Sequence, residues 1–571
     1  MSESTEQPKA GSIAEFMEFL YPGIAELQGK SPPWPADVFA LVASVMRRNG
    51  GYVHCIGQTL EVDKPTPLLG SEWPNEAERI GQDWRKAIVD VLKRKVGKGG
   101  ISIPRALDEV EVPPSVQTAW TSLLAFSQDT SLDDSKFLFE LCVALIKLSG
   151  YADEASYNLG LPVVNPETDP FLQAASFLLE RNGKISFCNR VPTNKARVLA
   201  KKHTPQQGLT LRSMTHHMSL CMPWEVDAQW HEIAANRHDD ILNLLILPWP
   251  LNIDVKDFRP AGGVPAHNLF SEDRLFEYVR SPLASHELES KVRKTLDKAL
   301  AKVAKIDALV FPELALTRDE WDVVEKIAID RKLLLIAGIT DDVEQTTQRP
   351  VNSCRIRLAN ISEPQEVQEV REVREAYRQA KHHRWCLDRS QVLQYDLGGQ
   401  IPSTKRCWEN SHIGKREVFF ATIGGWLTFS VLICEDLARQ DPIADTLRSV
   451  GPNLVVALLM DGPQLASRWS ARYASVLADD PGTSVLTVTS LGMCVRSRPA
   501  QTGPMPFKES RVIGLWKDKL YGFREISLPE KTEGCVLSLS FEAREEFTAD
   551  GRSDSKGTQV PVFSGISFIE E

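Results

Sequence analysis

A single cysteine stands at the end of a long apolar run in the second half of the chain. The run LTFSVLI leads directly into Cys434, and the carboxylates Glu435 and Asp436 follow it. Such a continuous apolar run is typical of a strand buried on both faces. A cysteine between a buried strand and a turn is held in place, and the N-terminus of a following helix is expected to lower its pKa. The pattern predicts a cysteine nucleophile, with a structural buried thiol as the alternative.

Two further residues could complete the chemistry of this thiol. Glu313 follows the apolar segment LVFP, and Lys381 opens the segment KHHRWCLD. A thiol needs a base to take its proton, and its attack on a carbonyl creates an oxyanion that a cation can stabilise. Glu313 supplies a base and Lys381 a cation. Lys405 lies closer to Cys434 in the sequence and is the alternative lysine.

Strand and helix patterns alternate from about residue 240 onward. Short apolar runs bounded by turns predict strands, and apolar residues at steps of three and four predict helices. The predicted strands include ILNLLILPWPL, DALVFPELAL, KLLLIAGIT, VNSCRIRL, WLTFSVLICE, PNLVVALLM and TSVLTVTSLG, and the helices include ELESKVRKTLDKALAKVAK, EWDVVEKIAIDR and SRWSARYASVLADD. This alternation predicts a layered α/β domain whose polar strand ends gather a site.

The N-terminal part, from about Ser12 to Trp230, carries mainly helical patterns. Segments such as PADVFALVASVMRRNG and DDSKFLFELCVALIKLSG have helical spacing and end in glycine. YADE at Tyr151 faintly resembles a polymerase carboxylate pair, but it follows a glycine expected to end a helix and has no second catalytic aspartate nearby. A polymerase is therefore not expected.

Two side-chain clusters in this part have an ordinary interpretation. One contains histidines and a cysteine and has no standard zinc spacing, so packing is favoured over a metal site. The other is a basic run, which is expected to be a solvated face rather than a phosphate site. The first cluster comprises His216, His217, Cys221 and His231, and the second comprises Arg190, Lys195, Arg197, Lys201 and Lys202.

The composition is that of a soluble globular protein of several domains. The chain has 571 residues, 42% hydrophobic and 25% charged, and a formal net charge of −10. The negative charge argues mildly against whole-chain attraction to nucleic acid. No apolar stretch is long enough for a membrane span, and the first residues do not resemble a secretory signal. Ten dispersed cysteines fit reduced thiols, and the expected location is the cytoplasm.

The ordered motifs resemble the nitrilase, or carbon-nitrogen hydrolase, superfamily over roughly residues 240 to 571. The resemblance rests on the segments around Glu313, Asn352, Lys381 and Cys434, and on ARYASVLADDPGTSVLTVTSLG. It implies a four-layer αββα sandwich with the site at one end of two sheets. It also implies that Cys434 is the nucleophile, Glu313 the general base and Lys381 the oxyanion stabiliser, with the backbone N–H of Glu435 as a second donor.

The chain departs from the family pattern at two points. The interval between Lys381 and Cys434 is long for the family, as though an insertion separated them. Many members also carry a second glutamate a few residues after the lysine, and KHHRWCLDRSQVLQYDLG has none. Asp388 or the more distant Glu409 are the candidates to replace it, so turnover is not assured by the motifs alone.

The junction between the two parts carries a fainter resemblance. GLTLRSMTHHMSL followed by LNLLILPWPLNI is similar to the join upstream of nitrilase modules found with phage-defence reverse transcriptases. We predict a mostly helical regulatory or partner-binding domain over residues 1–235 and a nitrilase-like domain over residues 236–571. A protein or nucleic-acid partner of the helical domain is an open expectation.

These observations predict a thiol amidohydrolase that needs no metal and no organic cofactor. An amide or carbamoyl substrate is favoured over a nitrile, and residues that bind the rest of the substrate cannot be named. The alternative is a catalytically silent nitrilase-fold sensor or scaffold, with antiviral defence as its setting. Self-association is also expected, through an apolar stripe on SRWSARYASVLADD. The stripe consists of Trp469, Tyr473, Val476 and Leu477.

Overall fold

The structure, a computed structural model, describes most of the chain. The described residues are 11–54, 69–96, 100–127, 139–159, 169–201, 208–222, 226–233, 241–261, 273–358, 376–424, 426–439, 441, 443–498 and 509–571. No helix within these ranges is long and apolar enough to cross a membrane.

The N-terminal region is mostly helical, as predicted. Its helices are α1 (Ile13–Leu20), α2 (Pro35–Asn49), α3 (Trp73–Lys95), α4 (Ile103–Leu107), α5 (Pro114–Ser127), α6 (Phe139–Ala155) and α7 (Pro170–Arg181). Ser12 caps α1 with a reciprocal capping box to Glu15, and α2 is buried along most of its length. The segment YADE lies inside α6, so the expectation that a glycine ends the helix before it was wrong.

Three short strands that the helical pattern did not predict follow these helices. They are β1 (Arg197–Ala200), β2 (Met218–Cys221) and β3 (Asp227–Ile233). β1 and β2 pair with each other as a two-stranded sheet. β3 pairs in parallel with a strand of the second half of the chain and forms the edge of a larger sheet. The hydrogen bonds of that sheet therefore join residues on both sides of the predicted domain boundary between residues 235 and 236. The boundary itself remains a prediction.

The remaining elements mix strands and helices as predicted, but they do not alternate throughout, since the last four strands follow one another without a helix. The strands are β4 (Ile241–Ile246), β5 (Phe258–Pro260), β6 (Arg274–Tyr278), β7 (Ala308–Val310), β8 (Leu334–Ile339), β9 (Ser353–Arg357), β10 (Tyr377–Ala380), β11 (Cys386–Leu387), β12 (Cys407–Glu409), β13 (Glu417–Ile423), β14 (Leu427–Ile433), β15 (Leu454–Leu459), β16 (Ser484–Thr489), β17 (Val512–Asp518), β18 (Gly522–Ser527), β19 (Thr532–Phe547) and β20 (Ser553–Glu570). The helices are α8 (Ser285–Leu300), α9 (Arg318–Asp330), α10 (Arg389–Gln394), α11 (Glu435–Ala438), α12 (Ile443–Val450), α13 (Trp469–Asp479) and α14 (Leu491–Arg496).

Two seven-stranded sheets form the centre of the molecule. The first has the order β10-β9-β8-β7-β4-β19-β20, and the second has the order β18-β17-β16-β15-β14-β13-β3. Apolar side chains of both sheets interdigitate in one buried cluster, which includes Ile246 and Val310 from the first sheet and Val431 and Val456 from the second. The outer face of the first sheet packs on α8 and α9. The predicted four-layer αββα sandwich is confirmed.

The fourth layer joins the two parts of the chain. α11 to α13 cover the outer face of the second sheet and share one core cluster with the N-terminal helices. β2 packs on α12, where the Ser449 hydroxyl donates to the Leu220 carbonyl and Arg47 pairs with Asp445. The N-terminal region is thus docked on the layer that directly follows β14.

The predicted self-association stripe on α13 is only partly exposed. Leu477 is buried in the shared core, and Val476 is exposed. Trp469 and Tyr473 are half-buried, and the Trp469 indole N–H donates to the Asp461 carboxylate at 2.9 Å. Part of the stripe therefore serves the fold of its own chain, and self-association stays a prediction.

Candidate active site

Glu313 is placed by a tight backbone contact at the end of β7. Leu314, the residue after it, has a positive φ of 53°, so the chain turns sharply there. The neighbouring strand β8 approaches so closely that a Cβ on Gly338 would lie 2.6 Å from the Glu313 Cα and 2.5 Å from the Leu314 nitrogen. The Gly338 N–H also donates to the Pro312 carbonyl at 3.1 Å. Only glycine fits this contact, which fixes the glutamate at the sheet end.

Lys381 follows β10 at the same end of the first sheet. Its backbone N–H donates to the Asn352 carbonyl, and its ammonium lies 2.8 Å from Glu313 Oε1 and 2.8 Å from Glu409 Oε2. Both the ammonium and the Glu313 carboxylate are 1% exposed. Sequence order did not show that a second glutamate joins them, because Glu409 lies on β12 of a separate small sheet.

Glu409 supplies a second glutamate beside Lys381, which the segment directly after that lysine lacks. This glutamate accepts the Trp385 backbone N–H at 3.0 Å as well as the Lys381 ammonium. The small sheet has the order β11-β12-β6-β5, and β12 carries Glu409 back towards the lysine. Asp388, the other candidate, instead caps α10 by accepting the Gln391 N–H.

The alternative lysine does not join this cluster. Lys405 is half-buried, and its described contacts are local backbone contacts with Pro402 and Cys407. Of the two lysines, Lys381 is the one bonded to Glu313.

Asn352 bridges the two carboxylates from β9. Its amide nitrogen donates to Glu313 Oε1 at 2.7 Å and to Glu409 Oε1 at 2.5 Å. Its backbone N–H is held by the Ser411 hydroxyl at 2.9 Å. Two buried oxygens nearby, Glu313 Oε2 and Asn352 Oδ1, have no hydrogen-bond partner in the part of the chain that the structure describes. The motif residues pointed to Asn352, but not to this bridging contact.

Cys434 occupies a strained backbone conformation between β14 and α11. Its φ of 45° and ψ of −104° lie outside the regions that non-glycine residues favour, at a cost of about 1–3 kcal/mol. The Cys434 N–H donates to the Leu458 carbonyl of β15 at 2.9 Å. The next N–H, that of Glu435, has no hydrogen-bond partner among the described residues, as is usual in the first turn of a helix.

Asp436 ties the cysteine turn to the lysine segment. Its carboxylate accepts the His382 backbone N–H at 3.1 Å and contacts His383 Nδ1 at 3.0 Å. His382 Nε2 in turn contacts the Glu417 carbonyl at 3.1 Å. These contacts fix the residues that flank Cys434 against those that flank Lys381.

The electrostatics of the cysteine differ from the sequence expectation. Burial and the nearby Glu313 carboxylate raise the pKa of the Cys434 thiol well above its ordinary value, and the Lys381 charge opposes them. The expectation of a lowered pKa was wrong, because the four-residue α11 offers too little to offset a side chain that is 3% exposed. Of the cysteines that the structure describes, Cys386 is the most exposed and is therefore expected to react before Cys434 with a general alkylating reagent.

The pKa values of Glu313 and Lys381 are both raised. Burial raises the pKa of Glu313, and so does Glu409, while Lys381 lowers it. Burial disfavours the Lys381 charge, but the carboxylates of Glu313 and Glu409 outweigh it and raise the pKa of the lysine well above its ordinary value. The lysine thus stays cationic, and Glu313 is more basic than a solvated glutamate.

A cavity of about 360 Å³ reaches this cluster. Glu313, Asn352 and Glu409 line it, together with aromatic residues of the small sheet. Cys434 is not among its lining residues. A substrate in the cavity would therefore meet the carboxylates and the asparagine before the thiol.

The histidines of the N-terminal part are engaged in packing and hydrogen-bonding contacts, and two residues of the basic run, Arg197 and Lys201, are buried, so the expected solvated face is wrong for these two. His231 packs at a tilt against Tyr377 with ring centroids 3.7 Å apart, and the His217 backbone N–H donates to Asp153. The buried Lys201 ammonium donates to the carbonyls of Arg212 and Thr215. Lys202 lies outside the described residues. Within the described ranges, no group of three or more His, Cys, Asp or Glu side chains is arranged to hold a metal ion.

No protein-family model matches this chain, and no curated protein does. Several solved structures are similar. Saccharomyces cerevisiae Nit3, described as a member of branch 10 of the nitrilase superfamily, has 11% sequence identity and a TM-score of 0.31; the match covers 53% of this chain and 91% of Nit3.

An amidase from Nesterenkonia sp. AN1, described as a nitrilase-superfamily enzyme, gives two further matches. A cysteine mutant of that amidase has 11% identity and a TM-score of 0.30, with 54% of this chain and 92% of that chain covered. Another mutant of it, with the acetamide moiety of fluoroacetamide added covalently at its active-site cysteine, has 10% identity and a TM-score of 0.31, with 52% and 90% covered.

Proposed function

We propose that this chain is a thiol amidohydrolase that cleaves a non-peptide carbon-nitrogen bond. One observation carries the proposal: the Lys381 ammonium lies 2.8 Å from each of two buried carboxylates, Glu313 and Glu409, and its charge acts on the thiol of Cys434. Burying three charged groups is costly and does little for stability, so such a cluster next to a strained cysteine and a cavity indicates a functional site.

In the first half-reaction, Cys434 Sγ attacks the carbonyl carbon and Glu313 takes the thiol proton. Because the thiol has a raised pKa, it is protonated at rest and loses its proton only as the carbon-sulfur bond forms. The Lys381 ammonium and the Glu435 N–H stabilise the oxyanion. Glu313 then protonates the departing nitrogen, the carbon-nitrogen bond breaks, and a thioester remains.

In the second half-reaction, water attacks the thioester and Glu313 takes the proton of the water. The carbon-sulfur bond breaks, the proton returns to the thiol, and the acid leaves. No metal or organic cofactor enters either step. Glu409 and Asn352 act as positioning residues, since both hold Glu313 or Lys381 by direct hydrogen bonds.

An amide or carbamoyl substrate fits the site better than a nitrile. Glu313 Oε2 and Asn352 Oδ1 are buried acceptors without partners, and both residues line the cavity. The N–H groups of a carboxamide can satisfy such acceptors, whereas a nitrile has no hydrogen to donate.

The second candidate function is a catalytically silent nitrilase-fold sensor or scaffold. Its support is the burial of the Cys434 thiol, which is 3% exposed and absent from the cavity lining. The docking of the N-terminal region beside the nucleophile strand suits a partner-binding role in this alternative, in antiviral defence or elsewhere.

A screen of amides, carbamoyl compounds and nitriles decides between the two functions. The full chain is assayed for ammonia or amine release, with Cys434→Ala as the blank and Cys354→Ala, another buried cysteine, as the matched control. Release by the parent chain and by Cys354→Ala, but not by Cys434→Ala, supports the hydrolase. Release that Cys434→Ala retains contradicts the assigned nucleophile, and no release from any compound favours the silent module.

A further inference from the structure

The cavity beside Glu313 has a rigid apolar wall. Four aromatic rings and two aliphatic side chains supply it, and the rings contact one another. Phe276 and Trp385 pack edge to face with centroids 5.7 Å apart, and Phe258 and Tyr278 lie 5.2 Å apart. The wall consists of Phe258, Phe276, Tyr278, Leu314, Trp385 and Met460. Such a surface favours an apolar or aromatic part of a ligand.

The charges that line the cavity are mostly negative. The acidic lining residues are Glu277, Glu313, Asp319, Asp341, Asp342 and Glu409, and Arg280 is the basic one. The Arg280 guanidinium binds both oxygens of the buried Glu320 carboxylate and the Ala315 carbonyl, so its charge is balanced within the protein, although its Nε–H has no partner among the described residues. The described lining residues therefore offer a ligand carboxylate no cation that lacks a carboxylate partner, and the acidic side chains would repel it.

The acidic residues are not equally committed. Arg355 and Arg378 bind Asp342, Arg318 binds Asp341, and Asn410 donates to Glu277. Asp319 is exposed, and no ion pair or hydrogen bond of its carboxylate occurs among the described residues. A positive group on a ligand would find this carboxylate available.

Tyr278 adds a hydrogen-bonding group to the apolar wall. Its side chain is buried, with the residue 7% exposed, yet its hydroxyl has no partner in the described structure. Leaving a buried hydroxyl unpaired is costly, and a ligand that bonds to it recovers part of that cost. Burial also raises the pKa of Tyr278, so the group remains a neutral O–H donor.

We propose that the cavity selects amides whose acyl group is apolar or aromatic and is neutral or positively charged. This acyl group also carries a polar group that binds the Tyr278 hydroxyl. The cavity rejects amides that bear a carboxylate. This inference rests on the proposed function, because it takes the reacting amide to lie against Glu313 and Asn352. It adds the class of substrate, which that function leaves open.

Binding separates this inference from the question of turnover. The probes are three 3-phenylpropionamides that differ only at the para position, with a hydroxymethyl, an aminomethyl or a carboxylate group. Their dissociation constants are measured by calorimetry on full-length Cys434→Ala, which cannot consume them. We expect the carboxylate to bind at least ~100-fold more weakly than the other two, the equivalent of about 3 kcal/mol of lost pairing and repulsion.

Two variants in the Cys434→Ala background locate the selectivity. Tyr278→Phe is expected to weaken the hydroxymethyl amide by roughly 10-fold and to leave unsubstituted 3-phenylpropionamide unchanged. Asp319→Asn is expected to weaken the aminomethyl amide alone. Tyr521→Phe, at an exposed tyrosine far along the chain, is the matched control.

Each outcome has a defined meaning. Equal or tighter binding of the carboxylate overturns the inference, as does the absence of binding for all three probes at millimolar concentration. Turnover of the same probes by the parent chain is read separately. Selective binding without turnover leaves the inference standing and contradicts the hydrolase. Turnover that favours the carboxylate amide supports the hydrolase and overturns the inference.

Discussion

Two buried clusters, each made of one cation and several carboxylates, differ in how completely their polar atoms are paired. One is the Glu313–Lys381–Glu409 cluster at the sheet end. The other surrounds Arg552 at the tip of the β19–β20 hairpin, where its guanidinium binds the carboxylates of Asp153, Glu154 and Asp550. Both cations are 1–2% exposed. Burial and charge pairing alone therefore do not identify a functional site.

The two clusters differ in how completely their polar atoms are paired. Arg552 also donates to the Met214 carbonyl, and Asp153 accepts the backbone N–H groups of His216 and His217. Although burial alone would raise the pKa of Asp153, Arg552 and its other partners lower it to about 2. Burial raises the pKa of Glu154, but the buried polar side-chain atoms of this cluster all have partners among the described residues, as a structural clamp between the N-terminal region and the hairpin should.

The sheet-end cluster is unsaturated by comparison. Glu313 Oε2 and Asn352 Oδ1 lack partners among the described residues, the pKa of Glu313 is raised, and a cavity adjoins both residues. A carboxylate that can exchange a proton beside an open cavity is suited to acid-base chemistry. The comparison teaches that unpaired atoms and an adjoining cavity distinguish a reactive cluster from a clamp.

Removing the thiol is expected to have the largest effect. Cys434→Ala should lower turnover by roughly 10⁴-fold or more, because no other group can form the thioester. Thermal unfolding should change little, since the alanine also fits the buried turn. Cys354→Ala removes a buried thiol of the sheet interface and should keep its turnover; loss of activity in both variants would show that packing, not chemistry, is affected.

Breaking the clamp should cost stability instead of chemistry. Arg552→Met leaves three carboxylates without their cation and should lower the free energy of unfolding by about 3–5 kcal/mol. Chemical denaturation measures this change, and turnover per folded molecule should persist. Arg544→Met, on an exposed residue of the same hairpin, is the control. If Arg552→Met also loses turnover per folded molecule, the clamp is part of the active site.

The second glutamate should set both the rate and its pH dependence. Glu409→Gln is expected to lower kcat by roughly 10²-fold, because Lys381 loses one of its two anchors. Glu409 raises the pKa of Glu313, so its neutralisation lowers that pKa.

The pH profile of kcat/KM should shift in Glu409→Gln. The base is active when ionised, so kcat/KM rises with pH through the pKa of Glu313, and this limb should move to lower pH in Glu409→Gln. Glu417→Gln, a half-buried residue bound by Lys415, should leave the profile in place. A limb that moves to higher pH would contradict the assigned base.

The close backbone contact at Gly338 should have the smallest effect of the four. Gly338→Ala places a Cβ within 2.6 Å of the Glu313 backbone and should shift that glutamate by a fraction of an ångström. We expect kcat to fall by roughly 10-fold or more with KM little changed, since alignment of the base suffers more than binding. Gly565→Ala, at an open position of β20, is the control. An equal loss of kcat in this control would show that the loss does not come from displacement of Glu313.

The sequence pointed to much of this architecture because local patterns encode it. The apolar runs ending at Val310 and Ile433 predicted buried strands, and polar residues after them predicted a site at the strand ends. The stacking of two sheets came from the family resemblance. β3 was missed because the adjacent polar residues His231 and Glu232 interrupt the alternation of polar and apolar residues, and because its partner strand lies far along the chain.

The chemistry of the site was less predictable for a physical reason. Glu409 reaches Lys381 only through the pairing of β12 with β6 and β11, a tertiary arrangement that local sequence does not encode. The raised pKa of Cys434 likewise depends on burial by residues distant in sequence. Tyr278 carried no signal in the sequence, because only the tertiary structure shows that it lines the cavity and that its hydroxyl has no partner among the described residues.

Trapping the covalent intermediate tests the central claim most directly. The full chain is mixed with a pool of primary amides, quenched in acid within the first turnovers, digested and analysed by peptide mass spectrometry. The account predicts an acyl group on the peptide containing Cys434, released by hydroxylamine as a thioester should be, and absent in Cys434→Ala. Turnover with an acyl group on another residue, or with none on Cys434, would contradict it.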